Sequence, residues 1–402
     1  MEINERKQSN RLIWLLTVAM LSSIYILNTI SWGRYVFLLI AAVILLIYAW
    51  MNGGKLRFSA EPFFLFPIVF ALYCLLTAFW AWVPSAAVEK SFTIVQIVVC
   101  YFFLFLYYRN EDDVESLLSA VMWTGYIVSI YAIWYYGFDT LVKTTANDNM
   151  RIGNTFNNIN SIGMLAAYAC VIQAYRILYD RFSLSVLFMI PAVVIIAGTQ
   201  SRKALILLAI GILLIVLIKN FHNRRFLGAV LRTVVIISVL AVIAWLLLKT
   251  GLFTGLNERL EALVESYKGG DVDIRTVMRR VGWEQFLKTP LFGIGIGSSG
   301  ALLNQTIGMD TYLHCNFVEL LSCGGIVGFG IYYAMFFYLI RRIAIRGGFS
   351  DRGNVICTVL IVLNLIMDYG SVSYAGKTQY FFFMIYFLQA RKLALSEGQS
   401  LE

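Results

Sequence analysis

The chain has 402 residues, 60% of them hydrophobic, 15% aromatic and only 14% charged, with a mean hydropathy of +0.75. A water-soluble domain of this length could not cover so much apolar surface, so the composition excludes a soluble enzyme and points to lipid as the solvent. A net charge of +9 would suit nucleic acid in a soluble protein. Here the basic residues fall in short loops between apolar runs, a pattern of membrane topology that calls for membrane lipids and no nucleic acid as partners.

Only helices and closed barrels satisfy their backbone in hydrocarbon. The apolar runs are continuous over roughly 15–22 residues and do not alternate, so they read as helices. The expected fold is an all-α polytopic membrane protein. Hydropathy and length predict about twelve spans. They cover residues 12–30, 35–50, 63–81, 88–108, 117–136, 159–179, 184–197, 204–218, 230–248, 316–340, 355–369 and 380–388. No small-residue cleavage site follows the first span, which is expected to serve as an uncleaved signal anchor. The six cysteines, Cys74, Cys100, Cys170, Cys315, Cys323 and Cys357, are scattered without a Cys-x-x-Cys pair and read as small core side chains.

Charge asymmetry sets the orientation. Lys219, Arg224, Arg225 and Arg232 crowd one set of loops, as do Arg341, Arg342, Arg346 and Arg352, while the short loops on the other side hold few basic residues. The basic side is cytoplasmic, which puts both termini inside and the long segment 249–313 outside. The chain reads as a single transmembrane domain, 1–402, containing one large extracytoplasmic helical loop, 249–315, between spans nine and ten.

The outer loops hold the candidate chemistry. The first, 138–158, is polar, and its end runs Arg151-Ile-Gly-Asn-Thr-Phe-Asn157-Asn158-Ile-Asn160. Asparagine amides offer donor and acceptor together and so suit sugar hydroxyls; capping of the next helix by Asn158 or Asn160 is the competing use. The link 198–203 places Arg202 between two hydrophobic spans. A charge at that depth costs several kcal/mol unless it is paired or serves a site, and snorkelling to the surface is the alternative.

The long loop predicts helices at 256–267 and 272–287, separated by Gly269-Gly270. Asp271-Val-Asp273 lies in a Gly-rich linker on the outer face and reads as a solvated turn rather than a metal site; no other spacing suggests a metal ligand set. Arg275, Arg279 and Trp283 recur at i, i+4, i+8 and share a helix face, with Arg280 beside them. Paired guanidinium groups can clamp phosphate oxygens, whereas a solvated basic face at the headgroups is the plainer reading. The run 290–297, Pro-Leu-Phe-Gly-Ile-Gly-Ile-Gly, follows no strand, so a dinucleotide-binding reading fails and a close-approach or re-entrant loop is expected. His314 opens the tenth span and Glu319 lies deeper within it. A carboxylate is expensive there, and an imidazole on the outer face titrates near neutrality and suits proton transfer.

Together these pieces resemble the O-antigen ligase / O-antigen polymerase superfamily. The residues that carry the resemblance are Ser201-Arg202, Arg279 to Trp283, Pro290 to Gly297, and His-x-Asn-x-x-Glu-Leu-x-x-x-Gly-Gly-x-x-Gly from His314 to Gly328; Arg151 to Asn160 looks like the family's Gly-x-Phe-x-x-x-Asn loop. The match spans residues 150–340, with departures at Cys315 and Lys203. The resemblance implies a GT-C-like helical fold in the bacterial inner membrane. It implies transfer of sugar from an undecaprenyl pyrophosphate-linked oligosaccharide, without metal or cofactor, at the outer face. Arg202 and Arg279 would bind the pyrophosphate and His314 would activate or orient the acceptor hydroxyl. Arg275 and Arg280 are added on charge, and Glu319, Trp283, Asn157, Asn160 and Arg151 as substrate-binding candidates. Residues 312–328 and 368–374 look closest to capsule-type polymerases, so a polysaccharide polymerase is expected, working beside a chain-length regulator and a flippase of the same pathway. A ligase delivering finished glycan to lipid A core, and a lipid-linked oligosaccharide flippase or anion transporter, are the rival readings.

Overall fold

A computed structural model describes residues 3–54, 61–111, 113–146, 156–179, 184–222, 273–396 and 398, and all regular structure among them is helical. The helices are α1 (Ile3–Ile26), α2 (Gly33–Met51), α3 (Pro62–Leu76), α4 (Pro84–Glu111), α5 (Val114–Tyr136), α6 (Phe138–Ala146), α7 (Ile159–Tyr179), α8 (Met189–Thr199), α9 (Arg202–His222), α10 (Ile274–Lys288), α11 (Ser299–Ile307), α12 (Asn316–Leu339), α13 (Arg352–Asp368) and α14 (Lys377–Ser396). Among the described residues, 6 helices are long and apolar enough to cross a membrane: Pro62–Phe79, Pro84–Arg109, Val114–Tyr136, Ile159–Tyr179, Arg202–Asn220 and Asn316–Arg346. Asn10–Ile26, Tyr35–Met51 and Leu184–Thr199 are apolar but shorter. The expected span 230–248 and loop helix 256–267 lie outside the described residues, as does Arg151. The other expected spans 355–369 and 380–388 fall in α13 and α14, which are not among the 6 membrane-length helices; α13 has 17 residues and α14 carries Lys377, Arg391 and Lys392.

The chain divides into two compact units. The first comprises Met1–Ile40, Asp113–Gly270 and Phe349–Val359. Its centre is α5 against α7. At Gly125 an added Cβ would sit 2.6 Å from the Cβ of Ala169, so the two helices approach as closely as a missing side chain permits. The Asp113 carboxylate caps α5 by accepting from the Ser116 amide at 2.9 Å, and Glu115 in the first turn favours the positive end of the helix dipole. Gly163 of α7 meets the α8–α9 link in the same way, its absent Cβ lying 2.7 Å from Thr199 Oγ1.

The second unit comprises Ala41–Asp112, Asp271–Gly348 and Leu360–Glu402. Aromatic rings fill it: Phe63 stacks on Phe105 with centroids at 5.1 Å, and Phe336 meets Phe383 edge-on at 4.9 Å. At one end, where α3 begins and α4 and α14 finish, buried Glu61 accepts from Arg109 at 2.7 Å and Arg391 at 3.3 Å. At the other end α12 is broken. Gly325 has φ 63° and ψ −172°, outside helical space. The glycine run repairs the break. Ile294 and Gly295 amides donate to the Ser322 and Cys323 carbonyls at 3.1 and 2.8 Å, while Ile326 and Val327 amides donate to Pro290 and Leu291 carbonyls at 2.8 and 3.3 Å. Backbone freed by a kink must find partners in a membrane protein, and here a second strand of backbone supplies them. That closeness dictates the glycines. A Cβ at Gly293 would strike the Cys323 carbonyl group, and one at Gly325 would strike that of Leu291. The run 290–297 is thus a close-approach loop whose amides serve the protein's own backbone.

Candidate functional site

Asp273 caps α10 with its carboxylate, accepting from the Arg275 amide at 3.3 Å. This half of the Asp-x-Asp string is therefore exposed and occupied with helix initiation. Along α10, Arg275, Arg280 and Trp283 are exposed and Arg279 is half-buried. The Arg279 guanidinium donates to Thr276 Oγ1 at 3.0 Å and lies 4.9 Å over the Tyr369 ring. The hydrogen bond and the cation–π contact together hold the guanidinium beside Tyr369. Among the described residues, Arg275, Arg279 and Arg280 have no carboxylate partner.

The helix then packs on the segment that carries His314. Met278, Leu303 and Leu313 form one buried cluster, with Val281, Ile307 and Val318 at its edge. Gly282 permits this contact: an added Cβ would lie 2.6 Å from Leu313 Cδ1 and 2.7 Å from Val318 Cγ1. The helix that bears Arg279 is thereby packed on the segment that bears His314. Electrostatics agrees. Burial raises the Cys315 thiol above its ordinary pKa, and the Arg279 charge is near enough to oppose that rise.

His314 has φ 56°, one of two positive-φ non-glycine residues among those described. Its ring packs on that of Tyr312 with centroids 4.1 Å apart. Burial raises the Tyr312 hydroxyl while the Arg275 charge pulls the other way, so Tyr312 remains a neutral donor. Glu319 is buried, 2% exposed, and both its oxygens are engaged by the protein: Oε1 accepts from Ser299 Oγ at 2.5 Å and Oε2 from the Leu313 amide at 3.0 Å.

Below His314 a second buried carboxylate organises the last outer loop. Asp368 accepts from Ser373 Oγ at 2.5 Å, Tyr333 Oη at 2.9 Å and Asn316 Nδ2 at 3.2 Å. Asn316 in turn accepts from the Ser373 and Tyr374 amides at 3.0 and 3.1 Å, and its own amide donates to the Ser371 carbonyl at 3.0 Å. This network holds residues 369–376, and with them Tyr369, beside the start of α12. A lone aspartate closing an apolar run was the available signal for Asp368; Tyr312 and Tyr369 lie in the stretches that resemble polymerases, but nothing in the sequence gave either ring a role of its own.

In the first unit, Arg202 is exposed at the first position of α9, directly after Ser201, whose hydroxyl donates to Asn160 Oδ1 at 3.0 Å. Asn158 caps α7 by accepting from the Asn160 amide at 2.9 Å, and Asn157 is buried, donating to the Tyr25 carbonyl at 2.9 Å. The asparagines of this loop are thus engaged in shaping it. Beside the end of α10 in the second unit, an open apolar groove of about 490 Å³ is lined by Trp80, Thr289, Pro290, Leu291, Phe292 and Gly293. Among the described residues, no group of three His, Cys, Asp or Glu side chains is placed to hold a metal ion.

No curated protein matches the chain. A family model described as O-antigen ligase does match, over residues 185–333. That interval contains Arg202, all of α10 and α11, His314 and Glu319, and it excludes the Asn157–Asn160 loop. The multiple apolar helices and this match, which covers a little over a third of the chain, support a multi-pass membrane protein with an O-antigen ligase- or polymerase-like role.

Proposed function

We propose that this protein is a GT-C-type membrane glycosyltransferase that polymerises undecaprenyl pyrophosphate-linked repeat units on the outer face of the bacterial inner membrane. The observation that carries the reading is the packing of α10 through Gly282 on Leu313 and Val318, which sets the helix that bears Arg279, an arginine without a carboxylate partner among the described residues, against the segment that bears His314. In the step proposed, the acceptor hydroxyl attacks the anomeric carbon of the donor sugar. The bond from that carbon to the pyrophosphate oxygen breaks, and the lipid pyrophosphate leaves with the electron pair. His314 takes the hydroxyl proton. Arg279 neutralises the charge that grows on the leaving group, assisted by Arg275 and Arg280; guanidiniums already in place cost no reorganisation during the step.

Arg202 joins the proposal on grounds within its own unit. It and Lys203 occupy the first turn of α9, where the helix dipole disfavours cations by about 0.3–1 kcal/mol each. An anionic ligand reverses that penalty. The apolar groove beside Phe292 suits the isoprenoid tail of such a donor. A ligase is the second reading, and the description of the matched family favours it. A deletion strain separates the two: single-repeat products indicate a polymerase, and full-length lipid-linked polymer left unattached indicates a ligase. The direct test incubates purified protein with lipid-linked repeat units in the presence of chelator. A ladder of longer products on a gel supports the proposal. Substrate movement across liposomes without new glycosidic bonds would mean a transporter instead.

A further inference from the structure

The segment around His314 has one feature that neither composition nor motif explains: the backbone just before the histidine is anchored on a buried carboxylate one turn inside the helix that follows it. The carboxylate of Glu319 accepts from the amide of Leu313, immediately before His314, at 3.0 Å. On the other side of His314, Cys315 is the N-cap of α12, its carbonyl accepting the helix's first backbone bond from the Glu319 amide at 2.9 Å. The residue between these two ties is in the left-handed region, φ 56°, which a side chain with a Cβ adopts only against a penalty. The carboxylate itself cannot drift, because its other oxygen is held by Ser299 Oγ at 2.5 Å from the N-terminal turn of α11. Nor can it reach substrate, since Glu319 is 2% exposed and both of its oxygens are engaged.

From this geometry we infer that Glu319 is a positioning residue that holds His314 in its working conformation, with Ser299 as its brace. The inference rests on the reading of His314 as the proton acceptor. It explains why a carboxylate is tolerated in an apolar helix, where it is costly unless it serves a site. A shorter capping side chain at the start of α12 could satisfy an amide within that helix, but it could not reach back past His314 while leaning on α11. The Tyr312 ring packed on His314 completes the arrangement from the ring side.

The test measures transfer kinetics with lipid-linked repeat units for Glu319→Ala, Glu319→Gln, His314→Ala and the Glu319→Ala/His314→Ala double variant. Glu319→Ala is expected to lower kcat about 10- to 100-fold with KM little changed, the scale of loss that small misplacement of a reacting group brings. Glu319→Gln keeps a carbonyl oxygen for Leu313 and an amide that can donate to the Ser299 hydroxyl, so it should recover most of kcat. The double variant should be no slower than His314→Ala alone, because a residue acting through the histidine has nothing left to act on. If His314→Ala turns over normally, the proton-acceptor reading fails. If His314→Ala is inactive but Glu319→Ala keeps the normal kcat, or if the two losses multiply, the positioning role fails. Should Glu319→Ala not accumulate in folded form, Ser299→Ala provides the same reading: a several-fold loss in kcat at unchanged KM supports the brace, and a normal kcat overturns it.

Discussion

The two ends of the second unit bury charge by opposite means. At the end where α3 begins, Glu61 is met by two guanidiniums, Arg109 at 2.7 Å and Arg391 at 3.3 Å. At the end where α12 begins, the hydrogen bonds that Glu319 and Asp368 accept among the described residues come from hydroxyls, a side-chain amide and a backbone amide, with the Lys90 charge near enough to act on Glu319. The first arrangement cancels charge within the protein and ties three helix ends together. The second satisfies its carboxylates without arginines, and among the described residues Arg275, Arg279 and Arg280 of the same unit have no carboxylate partner. Under the proposed function these three arginines are the ones that meet the anionic leaving group, and the two ends divide ion pairing and anion binding between them.

Removing the ionic clamp should give the largest effect, and the effect should be on stability. Glu61→Ala leaves two partly buried guanidiniums without their carboxylate, a change of the type that costs about 3–5 kcal/mol. Thermal unfolding in detergent should show a lower transition, while the surviving folded enzyme keeps its KM. Arg279→Ala should do the reverse: no change in unfolding, and a loss of about 100- to 1,000-fold in transfer rate, typical for removal of one stabilising donor at a developing charge. Arg202→Ala is expected to follow Arg279→Ala. If either arginine variant makes polymer of normal length at a normal rate, that residue is not part of the site. If Glu61→Ala lowered turnover and left unfolding unchanged, the division of labour between the two ends would be wrong.

The clamp was invisible in the sequence, and so was much of the site's support. Hydropathy marked the apolar helices, because a bilayer imposes length and composition directly on the chain. Arg279, Trp283 and His314 stood out through spacing and rarity, and the glycine run was legible as a close approach because it followed no strand. Partners distant in sequence were not legible. The Glu61–Arg391 pair, the Asn316–Ser373 contacts and the meeting of Ile294 with Ser322 depend on which helices neighbour one another, and apolar periodicity does not encode that when most faces are apolar. Asn157 and Asn158 illustrate the converse. Their composition suited sugar binding equally well, and only the backbone showed them engaged in a carbonyl contact and a helix cap.

The broken helix gives a smaller and sharper test. Gly325→Ala places a Cβ against the Leu291 carbonyl at a residue with φ 63°. The expected cost is about 1–3 kcal/mol in unfolding, the usual size of such strain. Gly330→Ala, five residues along the same helix with open space around its Cβ, should be neutral or slightly stabilising. Equal effects at the two positions would mean that α12 does not need its break.

The smallest expected effect probes how Arg279 is aimed. Tyr369→Phe keeps an aromatic face under Arg279, whereas Tyr369→Leu removes it at similar bulk. A cation–π contact at a partly exposed site contributes about 0.5–1 kcal/mol, so Tyr369→Leu should slow transfer by a few-fold and Tyr369→Phe should not. If the ring aims the guanidinium and does not itself touch substrate, the loss should appear mainly in kcat. A loss confined to KM would instead place Tyr369 in direct contact with substrate, and Arg279 would then be aimed by Thr276 alone.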